Sequence, residues 1–346
     1  MEKPQSAQHC EVVSNLERRS FLARTSVWSL GALALPLAGC GSSTAQETQD
    51  ASYTIDTSIQ SPNQDSRVRA LVLHYTAETL ADSIASLTDT QKQVSAHYLV
   101  ADTASGDGRF RVYALVPEEH RAWHAGLSYW QGERMLNSST VGIEAVNLGF
   151  PPQDQNAPLM RRRWYPYSDE QIAVVGKLAT DIVARHKILP QKVVGHSDIS
   201  PGRKFDPGPL FPWQKLYTQF QIGAWPEAEA IDYYRNHQPF RGNIVDLQAK
   251  LLAYGYDTPQ TGVLDTQTLN VVAAFQMHFR PAQYDGVPDV ETVAILDALR
   301  EKYFRVRRPS SIQSPPDKVR SQGTDEKGPD IWSPSSATDQ PGSMRF

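Results

Sequence analysis

Cysteine is nearly absent. The 346 residues hold two, Cys10 and Cys40, both within the first 40 positions, so no disulfide framework supports the rest of the chain. No apolar run reaches the roughly 20 residues that a membrane-spanning helix needs. Positive charge is not in excess either: Lys+Arg 34 against Asp+Glu 38 leaves −4, which excludes a nucleic-acid partner bound through a basic surface. Glycine and proline, 21 and 24, are near their ordinary shares. With 40% hydrophobic and 21% charged residues, the composition is that of a chain that buries a core, and its length suits two domains with tails.

The N-terminus reads as an address. Arg18-Arg19-Ser20-Phe21-Leu22-Ala23 precedes a short, moderately apolar stretch that ends in Leu37-Ala38-Gly39-Cys40. A charged pair, a short apolar segment and a small-residue cleavage site make a secretory signal over residues 1–39, not a structural helix. The arginine pair is similar to a twin-arginine export signal, although Glu17 and Ala23 depart from that pattern. Leu-Ala-Gly-Cys resembles a bacterial lipoprotein box, in which Cys40 becomes the lipidated first residue. Several acyl chains on one cysteine anchor stably where a single chain does not. Gly41 after the cysteine, by analogy with lipoprotein sorting in Gram-negative bacteria, points to the periplasmic face of the outer membrane. Residues 40–66, rich in Ser, Thr, Gln and Asp, then read as a flexible tether.

Periodicity divides the remainder. Buried-strand patterns fall at 69–76 (RALVLHYT), 140–148 (TVGIEAVNL) and 193–196, and two more strands, 94–100 and 110–116, flank a Gly106-Asp107-Gly108 turn. Helical spacing appears over 79–87. A longer helix opens at Ser168 with a capping box to Gln171 and carries the stripe Ile172, Val175, Leu178/Ala179, Ile182. Strands mixed with long helices make 67–225 one α/β domain, a central mixed β-sheet flanked by helices. The pattern lapses over 226–240. Residues 240–300 then hold an internal echo, Gly262-Val263-Leu264-Asp265 and Gly286-Val287-Pro288-Asp289, each a turn, an Asp helix start and an apolar helix. This is a small all-α unit. The tail, 305–346, is rich in Pro, Ser and Gly and reads as disordered.

The densest polar cluster is GHSDISPGRKFDPGPLFP at 195–212. Taken alone, His196 and Asp206 suit a structural hydrogen-bonded pair or a helix cap better than they suit a metal. Ligation needs a third donor, for which His74 at the end of the first buried strand is the best candidate. Two histidines and a carboxylate would leave a tetrahedral ion one open position, the catalytic arrangement. Glu144 stands in an apolar strand with no partner nearby in sequence, where an unpaired anion is costly to bury.

That string, with Ser95-Ala96-His97-Tyr98, Ala122-Trp123-His124-Ala125-Gly126 and Gly142-Ile143-Glu144, resembles the zinc-dependent N-acetylmuramoyl-L-alanine amidases, which share a fold with peptidoglycan-recognition proteins and bacteriophage amidases. The resemblance covers about residues 66–300. Within the family, the lipoprotein box, the second unit and Ala274-Phe275-Gln276-Met277-His278-Phe279-Arg280-Pro281 match the outer-membrane lipoprotein branch. It implies His74, His196 and Asp206 as ligands of Zn2+, Glu144 as the catalytic glutamate and Lys204 as the lysine beside the metal. It implies a helical peptidoglycan-binding unit at 240–300 and, as substrate, the amide between N-acetylmuramic acid and L-alanine in peptidoglycan or muropeptides. The chain is expected to act as a monomer in wall degradation and turnover. A non-catalytic wall sensor and a peptidase cutting within the stem peptide are the alternatives; retention of all three ligand candidates together with Glu144 and Lys204 favours the amidase. Trp123, His124 and Tyr129 are candidates for the groove wall, and Arg161-Arg162-Arg163 for a contact to acidic stem-peptide groups. Ordinary packing and a solvated loop are the respective alternatives.

Overall fold

A computed structural model of the chain describes residues 53–308. The signal, the lipoprotein box with Cys40 and most of the tail, 309–346, lie outside the described residues. Residues 53–66 contain no helix or strand. Of the described residues, 63–308 form one compact unit.

Five strands make a mixed sheet in the order β3-β2-β6-β1-β7. They are β1 (Ala70–Tyr75), β2 (Tyr98–Ala104), β3 (Phe110–Ala114), β6 (Thr140–Ala145) and β7 (Val193–Gly195); β4 (Tyr129–Trp130) and β5 (Glu133–Arg134) form a separate ribbon. β1 runs parallel to both β6 and β7, and β2 runs parallel to β6 and antiparallel to β3. The helices are α1 (Leu80–Thr88), α2 (Asp169–His186), α3 (His196–Ile199), α4 (Trp213–Phe220), α5 (Ala228–His237), α6 (Ile244–Tyr254), α7 (Thr266–Phe279) and α8 (Val290–Phe304).

Alternation along the strands assigns the two faces. Leu71, Leu73, Val141, Ile143, Ala145 and Val193 point to one side, where α2 lays down Ile172, Val175, Ala179 and Ile182. Burying each such Ile or Val contributes about 1.5–3 kcal/mol. Ser168 caps α2 by accepting the Gln171 N–H, but the Gln171 amide donates to the Val146 carbonyl, so the side chain expected to complete a capping box is committed to the sheet edge.

Val72 and Val194 point the other way, into a core shared with Leu247, Leu251, Tyr256, Val271, Phe275 and Leu296. The unit expected at 240–300 is therefore packed against the sheet's second face. α7 explains why: Val271 through Phe279 are all buried, and a helix that is apolar all round has to be enclosed. The echo in the sequence is a structural repeat. Asp265 and Asp289 cap α7 and α8 through Thr268 and Thr292, while Gln248 and Gln276 accept the Gly262 and Gly286 N–H groups across each turn. The stretch taken as a lapse in pattern, 226–240, contains α5, which packs Ala230 and Tyr234 against Ala294 and Ala298 of α8.

Candidate metal centre and cleft

Three neighbouring parallel strands, β6-β1-β7, end on the same side of the sheet, where α/β proteins place their ligands. Each delivers one polar residue there: Glu144 near the end of β6, His74 near the end of β1, and His196 directly after β7. His74 and Glu144 are register partners and so share a face. Asp206 arrives from the loop after α3, whose bridge between Pro201 and Lys204 folds it back.

His74 Nδ1 lies 3.0 Å from His196 Nδ1 and 2.9 Å from Asp206 Oδ2, and His196 Nδ1 lies 3.0 Å from the same oxygen. These residues, all buried, are the set among the described residues that could hold a metal ion. The surrounding hydrogen bonds test the fit. Thr140 Oγ1 donates to the Leu136 carbonyl at 2.7 Å, so its oxygen must accept from His124 Nε2 at 3.2 Å. Burial drives His124 well below its ordinary pKa, so its neutral ring has a bare Nδ1, which accepts from His74 Nε2 at 3.0 Å. Burial likewise lowers His74 to about 4 despite the neighbouring Asp206, which leaves His74 neutral with a bare Nδ1. His196 Nε2 faces the Ala125 carbonyl at 3.2 Å, so Nδ1 is the ring nitrogen turned toward His74 and Asp206. Arg203, 3.3 Å from that Nε2, has shorter acceptors in Leu127 O and Ser200 Oγ at 2.9 and 2.7 Å. Burial pushes Asp206 up, but its two imidazole neighbours hold it well below the usual carboxylate range. His74 Nδ1, His196 Nδ1 and Asp206 Oδ2 thus converge within 2.9–3.0 Å of one another, a two-nitrogen, one-carboxylate donor set that fits a divalent cation.

Glu144 looks onto the same space. Its Oε2 is shut off from solvent and has no hydrogen-bond partner. Burial, reinforced by the Asp206 charge and opposed by Lys204, raises the carboxyl to about 8. Lys204 is half-buried and lines the cleft above, a cavity of about 740 Å³ that also takes in Glu144, His196 and Asp206. Its apolar wall includes Trp123, Leu148, Phe150 and Phe205.

All five residues singled out in the sequence therefore converge. His124 reaches the cleft but works mainly behind His74. His97 lies one layer further back, accepting the Gly142 N–H and facing the His120 carbonyl. Tyr129 does not line the cleft; it sits on the β4–β5 ribbon under the Arg134 guanidinium. The arginine run is not a solvated loop throughout: Arg163 pairs with Asp154, and Arg162 is wedged between the Phe150 and Phe205 rings, 4.6 and 4.5 Å from their centres. The sequence reading missed Thr140, whose hydroxyl sets the polarity of the relay; its place two residues before Gly142, on the same strand face, was the available signal.

Gly142 is required where it stands. A Cβ there would lie 2.5 Å from the His124 ring. Gly142→Ala should push that ring off both Thr140 and His74, lowering stability by about 1–3 kcal/mol and weakening metal binding. Denaturant melts and metal competition would check this; an unchanged midpoint would remove His124 from the relay.

Two family models match the chain: N-acetylmuramoyl-L-alanine amidase over residues 64–209, and putative peptidoglycan binding domain over residues 241–296. The N-acetylmuramoyl-L-alanine amidase AmiD of Escherichia coli is 43% identical over 279 residues, which span 79% of this chain and 97% of AmiD. Its solved complex with anhydro-N-acetylmuramic acid-L-Ala-D-gamma-Glu-L-Lys superposes with a TM-score of 0.66, covering 74% of this chain and 97% of that one. AmpDH3 from Pseudomonas aeruginosa, in complex with anhydromuramic pentapeptide, gives a TM-score of 0.64 at 42% identity, covering 72% of this chain and 98% of its own. The aligned lengths take in both the sheet and the helical unit.

Proposed function

Because the chain belongs to the N-acetylmuramoyl-L-alanine amidase family, we propose that its cleft hydrolyses the amide between N-acetylmuramic acid and L-alanine with Zn2+ held by His74, His196 and Asp206. It is an amidase that acts on muropeptides in peptidoglycan turnover. The observation that carries the zinc assignment is the convergence of two imidazole nitrogens and one carboxylate oxygen beneath an open cleft, a borderline donor set that suits zinc and would leave a position free for reaction.

Bound there, the ion supplies Lewis-acid activation of water and of the scissile carbonyl. Glu144 takes the proton of the attacking water and delivers it to the nitrogen that departs as the amine of L-alanine. Burial raises this carboxyl in the metal-free protein, and a divalent charge beside it would favour the ionised form that takes the proton. The Lys204 ammonium meets the carbonyl oxygen as that oxygen gains negative charge. Trp123, Leu148, Phe150 and Phe205 give the substrate apolar walls. Anhydromuramyl peptides of the kind bound by the two solved relatives are the proposed substrates.

The lipoprotein box at Cys40 and Gly41 after it support a lipid anchor at the periplasmic face of the outer membrane, which would hold the cleft facing the wall; we take the enzyme to work there as a monomer.

Mass spectrometry tests these assignments. Products from purified sacculi and from an anhydromuramyl peptide should be the lactyl-terminated sugar and a free peptide beginning with L-alanine. Chelation should stop their release, and Zn2+ should restore it. Cleavage within the stem peptide would instead make the chain a peptidase. Chain extracted from membranes should begin at an acylated Cys40, and an unprocessed N-terminus would remove the anchor.

A further inference from the structure

We propose that the helical unit is a working part of the metal centre, acting through Asp198 to fix the position of His196. Asp198 lies two residues beyond His196 in α3, is 1% exposed, and accepts three hydrogen bonds. The Gly195 N–H donates to Oδ2 at 2.7 Å and so secures the residue that precedes the ligand. The other two donors come from the helical unit: His278 Nδ1 of α7 at 2.7 Å on the same oxygen, and the Tyr256 hydroxyl, from the loop after α6, at 2.6 Å on Oδ1. A buried carboxylate keeps its place only while its donors do.

The donors themselves are held rigidly. His278 is sandwiched between Trp213, 3.8 Å away at 15°, and Phe279, 3.9 Å away at 12°. Trp213 opens α4 immediately after the ligand loop. It also touches the other side of that loop, since a Cβ on Gly195 would meet the Trp213 ring at 3.3 Å. Tyr256 packs edge-on against Trp130 of the β4–β5 ribbon at 4.9 Å. Further along the loop, Gly202 has φ +77°, and the Asn270 side chain of α7 fills the space where a Cβ would stand. Ile199 of α3 shares its core with Phe275 of α7. The segment from Gly195 to Gly202 is thus moulded on α7, while none of the residues lining the cleft comes from the helical unit. Its influence on the chemistry runs through His196.

His278 and Tyr256 are positioning residues on this view, and the inference rests on His196 being a metal ligand. Full-length wild type, Tyr256→Phe, His278→Phe and His278→Asn would be compared for Zn2+ affinity by chelator competition, for the visible absorption of the Co2+-loaded protein, and for kcat and KM on an anhydromuramyl peptide. Tyr256→Phe removes one hydroxyl. His278→Phe keeps the stack and loses the donor, whereas His278→Asn restores a donor near Nδ1. Loss of an outer hydrogen bond to a ligand environment typically weakens metal binding about 10–100-fold. The first two variants should fall in that range, with an altered Co2+ spectrum and a lowered kcat at unchanged KM; His278→Asn should recover most of the affinity. Should His278→Phe fail to fold, Tyr256→Phe decides alone. Wild-type affinity and spectrum in a folded Tyr256→Phe, or an effect confined to KM, would overturn the inference. A wild-type chain that binds no Zn2+ would instead overturn the reading of the site.

Discussion

His196→Ala loses the metal and the activity together. The four ligands of a structural zinc site contribute about 10–16 kcal/mol in all, so a single donor is worth about 2.5–4 kcal/mol, a loss of roughly 10²–10³ in affinity. More than coordination goes with it. Asp206 keeps only His74 as an imidazole neighbour, and a buried carboxylate deprived of a partner is itself destabilising. The Ala125 carbonyl also loses the His196 ring, though Arg203 still donates to it. Metal content after dialysis against a weak chelator, beside product release from sacculi, measures the outcome. Full occupancy in His196→Ala would show that the three donors do not share one ion.

The convergence behind this result was legible because its parts are strand ends. RALVLHYT and TVGIEAVNL announce buried strands whose last residues are polar, and such residues in neighbouring parallel strands arrive at one edge. Asp206 and Lys204 could be placed near His196 because Pro201-Gly202 lies in between and marks a turn that brings the chain back. The relay behind His74 was not legible. It needs Thr140, His124 and Leu136 in contact, and that depends on the ring of His124 lying over Gly142, a tertiary fit with no local pattern.

Elements were lost for similar reasons. β2 begins at Tyr98, four residues later than expected, because 94–97 is tied to other segments: the Ser95 N–H goes to Trp123 O and the His97 N–H to Gly142 O. Its far end, Asp102-Thr103-Ala104, is exposed and carries no apolar signal. α5 escaped because its buried face is small, Ala230 and Tyr234, set against two further alanines of α8. The Asp helix starts in the helical unit were visible in the echo. Their glutamine partners were not, because Gln248 and Gln276 are 28 residues apart where the turns repeat at 24, one repeat having the longer loop. Nor does the sequence single out His278, since a histidine inside an apolar helix looks like packing until its Nδ1 is seen against Asp198.

Glu144→Gln separates chemistry from metal binding. The amide matches the carboxylate in size and removes its ability to take and return a proton, so kcat should fall by about 10²–10⁴ with metal content unchanged. Glu144→Ala should behave alike, since neither variant touches a ligand. Stability supplies an independent check on the same side chain. In the metal-free protein burial pushes the folded carboxyl up to about 8, whereas a solvated glutamate titrates at about 4.5. Folding therefore favours its protonated form: the contribution is fully present below about 4.5, declines as the unfolded chain ionises, and is lost once pH rises through about 8. Glu144→Gln has no proton to lose, so its advantage over wild type in chelator should be near zero at pH 4–5, grow to a few kcal/mol by pH 8, and level off above. With metal restored the gap should narrow, because a divalent charge favours the ionised carboxylate. Thermal melts across that range, with and without chelator, would read it directly. A pH-independent difference would place the Glu144 carboxyl in solvent, and full turnover in the glutamine variant would assign the proton transfer to another group.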